Sequence, residues 1–135
     1  MKGQVAFEYM MVVSLVLLFI IPVWSYMNTV HQDTVNELNH NYAKNTAKKL
    51  ADTADLVYSQ GPPASVNVLI YMPAYVEEVF FINETVYLQM NTAGTSKNIT
   101  ASGQAFMNGS LIKVEGNYMV HIEAVGNYVQ IDPVV

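Results

Sequence analysis

Few side chains in this sequence are of a kind that does chemistry, and most of them stand apart. Its three histidines are His31, His40 and His121. His31 and His40 are nine positions apart, which on a helix separates them by about 180°, so one chain cannot use both on one metal ion. Glu77 and Glu78 are adjacent in a stretch that reads as a strand, so they are expected to face opposite ways and not to work as a carboxylate pair. The chain has no cysteine, which excludes disulfides, thiolate metal sites and cysteine nucleophiles. No phosphate-cradling glycine loop, nucleophile elbow or zinc-ligand spacing occurs. These residue types predict no enzyme activity, no metal and no cofactor. Two features remain. One is Glu8, a lone acid at the start of a long apolar run. The other is a set of three Asn-x-Ser/Thr sequons at Asn83, Asn98 and Asn108.

The run that holds Glu8 is the element that must position it. From Tyr9 to Gln32 the sequence carries no formal charge over 24 residues, counting His31 as neutral. As a helix this stretch reaches roughly 36 Å, enough for a hydrocarbon core of about 30 Å. Lys2 precedes it, which by the positive-inside tendency keeps the N-terminus cytoplasmic. A secretory signal peptide is shorter and ends in a small-x-small cut site, whereas this run ends in the bulky Val23-Trp24-Ser25-Tyr26-Met27. A plain membrane anchor accounts for the run but not for Glu8, because a carboxylate at membrane depth costs a few kcal/mol and normally has a partner. Pro22 lies inside the run, where it removes one helical hydrogen bond.

Lys2-Gly3-Gln4-Val5-Ala6-Phe7-Glu8-Tyr9 followed directly by the apolar run resembles the class III signal peptide of archaeal type IV pilins and pilin-like proteins. The resemblance implies a prepilin peptidase cut between Gly3 and Gln4, on the cytoplasmic side. Gln4 then becomes the mature N-terminus, with Glu8 four residues on, where pilins carry a glutamate. The adhesion-pilin version reads roughly Gln-x-Ser-x-Glu-aromatic. Here Ala6 stands in place of the serine, while Gln4, Glu8 and Tyr9 match. Archaellins share the cut but generally lack that glutamate, so the likeness is to an adhesion-type pilin and not to an archaellin. Pilin helices often carry a proline near position 22. The new ammonium at Gln4 of one subunit can neutralise Glu8 of another in an apolar core. Such a pair is weak for raw stability but good at fixing register.

Beyond Asn28 the helical pattern continues as a stripe of Val35, Leu38, Tyr42, Ala43, Ala47, Leu50, Ala54 and Val57, with most charges off it. Gly61-Pro62-Pro63 ends it. With no breaker between the two halves, one helix from about Gln4 to Gln60 is predicted, apolar on all sides in its first half and amphipathic in its second.

After Pro63 the period shifts to two. The expected elements are a strand over 65–71, a turn at Pro73-Ala74, and a hairpin of 76–82 with 85–90 about Asn83-Glu84. There follow a loop over 92–97, a weak strand over 98–107, and a turn at Asn108-Gly109. A second hairpin pairs 110–115 with 118–125 about Gly116-Asn117, and a last strand covers 128–131. Val125 to Ile131 also looks like the way archaeal pilin-like heads end. The fold class is therefore α+β: one long N-terminal helix packed on a small antiparallel sheet or sandwich. The division is a leader at 1–3, a membrane or filament-core helix at 4–27, its amphipathic continuation at 28–60, and a β head at 64–135.

With 6 Lys+Arg against 11 Asp+Glu, the chain lacks the basic clusters that bind nucleic acid. Charge is sparse at 13%, which suits burial in a membrane or an assembly. The 12 Asn and 15 Ser+Thr would give about 1.3 sequons by chance, against the three present, all in the head. Turn chemistry is the plainer explanation, strongest for Asn108-Gly109; N-glycosylation at Asn83, Asn98 and Asn108 is the functional one. The resemblance implies a structural subunit of an archaeal type IV-like pilus. Its partners are copies of itself, the prepilin peptidase and assembly machinery, and membrane lipid before assembly. It then stands on the cell surface, in adhesion. The alternatives are a monomeric membrane-tethered binding or sensing module with its head outside, and a minor pilin.

Overall fold

The computed structural model describes residues 2–92 and 94–134. Its first element is the predicted single helix, α1, Lys2–Gln60, 59 residues long with Pro22 inside it. Residues up to Asn36 form one unit, and Glu37–Val135 form a second. That unit takes in the last part of α1 together with every strand.

In the first unit every described side chain from Gly3 to Thr34 is exposed. The hydroxyls of Ser14, Thr29 and Thr34 donate to the carbonyls of Met10, Ser25 and Val30, each one turn back. These local bonds occupy polar groups that an apolar solvent could not. Pro22 has no N–H to give the Leu18 carbonyl, yet the helix continues through it.

The second unit is built on the predicted stripe. Ala43, Ala47, Leu50, Ala54 and Val57 are all buried, joined by Ala51 and Thr46. Leu38 and Tyr42, also expected on the stripe, are 48% and 46% exposed. Four of these buried residues are alanines, so the helix presents small side chains to the core. Gly61 closes the helix at φ 71, its N–H shared between the Val57 and Tyr58 carbonyls.

Seven strands follow: β1 Ser65–Met72, β2 Val76–Ile82, β3 Thr85–Thr92, β4 Thr95–Ser102, β5 Phe106–Gly109, β6 Gly116–Val125 and β7 Tyr128–Pro133. They form two sheets, one ordered β1-β6-β7-β5 and the other β2-β3-β4. One core joins the helix stripe to Ile70, Met72, Val120, Ile122, Val129 and Ile131 of the first sheet and to Val86, Leu88, Met90 and Ile99 of the second. The α+β class and the long helix are as predicted.

Four local expectations are corrected. Residues 92–97 are not a loop: β3 and β4 pair through Thr92 with Thr95, with Gly94 at φ 81. Thr95, Ser96 and Lys97 read as loop because β4 is a terminal strand with little to bury. Residues 110–115 form no strand, and Gly116-Asn117 forms no turn; they belong to β6 and lie opposite Met72 and Tyr71. The tight turn is at Gly126-Asn127 instead, where Val125 pairs with Tyr128. Asn108-Gly109 is likewise strand, and β5 runs parallel to β7, an exception in an otherwise antiparallel unit. Gly109 is needed there because, at φ 148, a Cβ would overlap the Ile131 carbonyl oxygen. Finally, a register shift between Val76 and Glu78 breaks the alternation, so Glu77 and Glu78 are both exposed.

Candidate functional site

Gly3, Gln4 and Glu8 lie in the first turns of α1, and all three are exposed. A helix begins with backbone N–H groups that have no intrahelical partner, so this end frays most easily. A Cβ on Gly3 would meet nothing within 4 Å, so packing within the chain does not account for the glycine. Gln4 and Glu8 are four residues apart and therefore share a face one turn apart. Met1, the first residue of the expected leader, lies outside the described residues.

Beyond Glu8, apolar exposure is continuous. Tyr9, Met10 and Trp24 are each 70% exposed, and the following turns expose Leu18, Phe19 and Ile21 nearly as much. Phe19, Val23, Trp24 and Met27 line one apolar groove that closes on Asn28 and His31. By length and composition α1 contains a segment able to cross a membrane, and no residue in it is buried. It is compatible with membrane anchoring.

The sequons fall in three settings. Asn83 occupies the β2–β3 turn at φ 54, its carbonyl accepting the Met107 N–H. Asn98 lies in mid-β4 and Asn108 in β5; all three asparagines are exposed.

The histidines do not come together as a metal site, and among the described residues no group of three His, Cys, Asp or Glu is placed to hold an ion. Four polar arrangements escaped the sequence reading. His121 Nδ1 lies 2.6 Å from Asn67 Oδ1, and its Nε2 lies 3.8 Å from Glu123 Oε2, on the outer face of the first sheet. The Glu123 spacing was visible as an i, i+2 pair; the Asn67 contact depends on the β1–β6 register. Tyr71 donates to Glu115 Oε1 at 3.0 Å, and this bond to a carboxylate, more than burial, raises its pKa above the usual tyrosine value. The Tyr42 ring meets the Tyr71 ring edge-on at 5.2 Å. Thr46 donates to the Tyr71 carbonyl, and Lys49 Nζ to the Leu69 carbonyl at 2.7 Å, so the helix covers part of the β1 edge. Asp55 Oδ1 accepts the Gln104 and Ala105 N–H groups. None of these sets has the enclosed, convergent geometry of a catalytic centre.

Comparison with protein-family models, curated proteins and solved structures gives no match to this chain.

Proposed function

We propose that this chain is a structural subunit of an archaeal type IV-like pilus. A prepilin peptidase cuts it between Gly3 and Gln4, and it polymerises through α1 to serve surface adhesion. The observation that carries the reading is the coupling of two features in α1. An uncharged run of 24 residues, fully exposed, follows directly on Gly3-Gln4-Val5-Ala6-Phe7-Glu8. An exposed apolar surface of this extent needs a cover, first lipid and then the same helix of neighbouring copies. Glu8 gains a partner only in the second setting, where the Gln4 ammonium of another copy neutralises it.

The mature N-terminus tests the reading. Mass measurement on protein recovered from the native membrane and from sheared surface material should give a chain beginning at Gln4. A chain beginning at Met1 in both fractions favours the membrane-tethered binding or sensing module instead.

A further inference from the structure

β4 is the terminal strand of the β2-β3-β4 sheet, and the hydrogen bonds identify its open side. The Asn91 N–H donates to the Tyr75 carbonyl at 2.9 Å, on the β2 side of β3. Odd-numbered residues of β3 therefore serve β2, and even-numbered ones serve β4. The register pairs Val86 with Ala101, Leu88 with Ile99 and Met90 with Lys97, which occupies the backbone groups of those β4 residues. Ser96, Asn98 and Thr100 turn their N–H and C=O groups away from β3, and no other described strand pairs with them.

Such an edge is a template for a strand of another molecule, and proteins usually blunt it with charges, a proline or a bulge. β4 has one charge, Lys97, no proline, and an unbroken register. What it has is a sequon in mid-strand. Asn98 and Thr100 are two apart, so amide and hydroxyl share one face; both are exposed, while Ile99 between them is 5% exposed in the core. Among the described residues neither side chain has a hydrogen-bond partner. The other two sequons differ in backbone setting, although the Asn83 and Asn108 amides are also exposed and without a hydrogen-bond partner among the described residues. Thr85 Oγ1 lies 3.0 Å from Ser102 Oγ, and Asn83 sits in the β2–β3 turn with its backbone carbonyl accepting the Met107 N–H. Asn108 lies on β5, which pairs with β7, and the Ser110 N–H donates to the Ile131 carbonyl, so neither of these sequons lies on an open strand edge like that of β4.

We propose that Asn98 is the glycosylated sequon and that its N-linked oligosaccharide guards the open edge of β4 against pairing between molecules. The site rests on the extracytoplasmic placement of the second unit in the function proposed above. The donor is an oligosaccharide activated by a lipid-linked phosphate. Asn98 Nδ2 forms the bond to the anomeric carbon as the carbon–oxygen bond to phosphate breaks. The amide loses one proton, and the lipid phosphate leaves with the electron pair. Nothing is oxidised or reduced.

The test uses full-length protein from the native host, digested for mass measurement, and the intact chain in detergent for its association state. The Asn98 peptide should carry saccharide mass that Thr100→Ser keeps and Thr100→Ala removes. The unglycosylated Thr100→Ala chain should show a several-fold rise in associated species. Thr100→Lys, equally unglycosylated but with a charge on the edge, should stay as dispersed as wild type. A bare Asn98 peptide overturns the proposal, as does a Thr100→Ala chain no more associated than wild type. The mature N-terminus, read from the same digest, keeps the two proposals apart. A Gln4 start with bare Asn98 leaves the pilin reading standing alone, and a Met1 start with glycosylated Asn98 leaves the edge guard standing alone.

Discussion

The Asp55 carboxylate and the Gly103 Cα are held so close that no side chain fits between them. Asp55 Oδ1 accepts the N–H groups of Gln104 at 2.6 Å and Ala105 at 2.9 Å, and a Cβ on Gly103 would stand 2.6 Å from the same oxygen. One helical acid thus holds the bend between β4 and β5. Asp55→Ala leaves the part-buried Ala105 N–H and its neighbour without their acceptor and should cost about 1–3 kcal/mol. Thermal unfolding followed by far-UV circular dichroism would show it. Gly103→Ala should destabilise in the wild-type background and much less in an Asp55→Ala background, because the three nearest atoms a Cβ would meet all belong to the Asp55 carboxylate.

Gly109 and Gly126 offer a controlled comparison, since both have positive φ but differ in surroundings. At Gly126 (φ 64) an added Cβ meets nothing, so Gly126→Ala should cost about 1 kcal/mol from backbone strain alone. At Gly109 strain adds to overlap with the Ile131 carbonyl, so Gly109→Ala should cost more than about 2 kcal/mol. Equal denaturation midpoints for the two variants would refute the close approach of β5 to β7.

Tyr71 should be a late-titrating tyrosine, because Glu115 accepts its proton in a hydrogen bond. The sign follows from the raised folded-state pKa. The pair's contribution is fully present below the unfolded tyrosine value of about 10 and is lost as pH rises through the folded value. In ultraviolet titration Glu115→Gln should move one tyrosine's ionisation to lower pH, and an unchanged curve would argue against the bond.

The two ends of the proposed processing and assembly site separate in their readouts. Replacing Gly3 with Val should leave the chain uncut, with Met1 at its N-terminus and no filaments. Glu8→Gln should leave cleavage intact, with Gln4 at the N-terminus, yet lower the amount of filament on sheared cells. Wild-type filament amounts in Glu8→Gln would refute a register role for the carboxylate.

The sequence made the helix plain. Its apolar run, its alanine stripe and the Gly61-Pro62-Pro63 stop each act through neighbours three or four residues away, which a reader of the chain can see. The first hairpin was legible for the same reason, with Asn83-Glu84 supplying the turn. The second sheet partner was not. Gly116-Asn117 and Asn108-Gly109 have turn composition, but their glycines serve a strand start and a close backbone approach, and these depend on Ile131 and on β1, far along the chain. Of the candidate site, Gly3, Gln4 and Glu8 were visible as a motif. That Asn98 stands on an open edge while Asn83 sits in a turn and Asn108 on a strand paired with β7 depends on strand order, which no local pattern carries.

The order β1-β6-β7-β5 has a bearing on how the chain acquires its structure. β7, the last strand in sequence, is an interior strand, and it alone joins β5 to the rest of its sheet. β1 has to wait for β6, across a separation that runs from Ser65 to Glu123. Non-local closures of this kind come late, after the entropy of long loops has been spent. The first sheet therefore cannot be finished during synthesis or translocation until residues as far as Pro133 have emerged. Until then the helix stripe and the β2–β4 meander must hold the incomplete core together, and removal of β7 should abolish folding of the whole second unit rather than trim its edge.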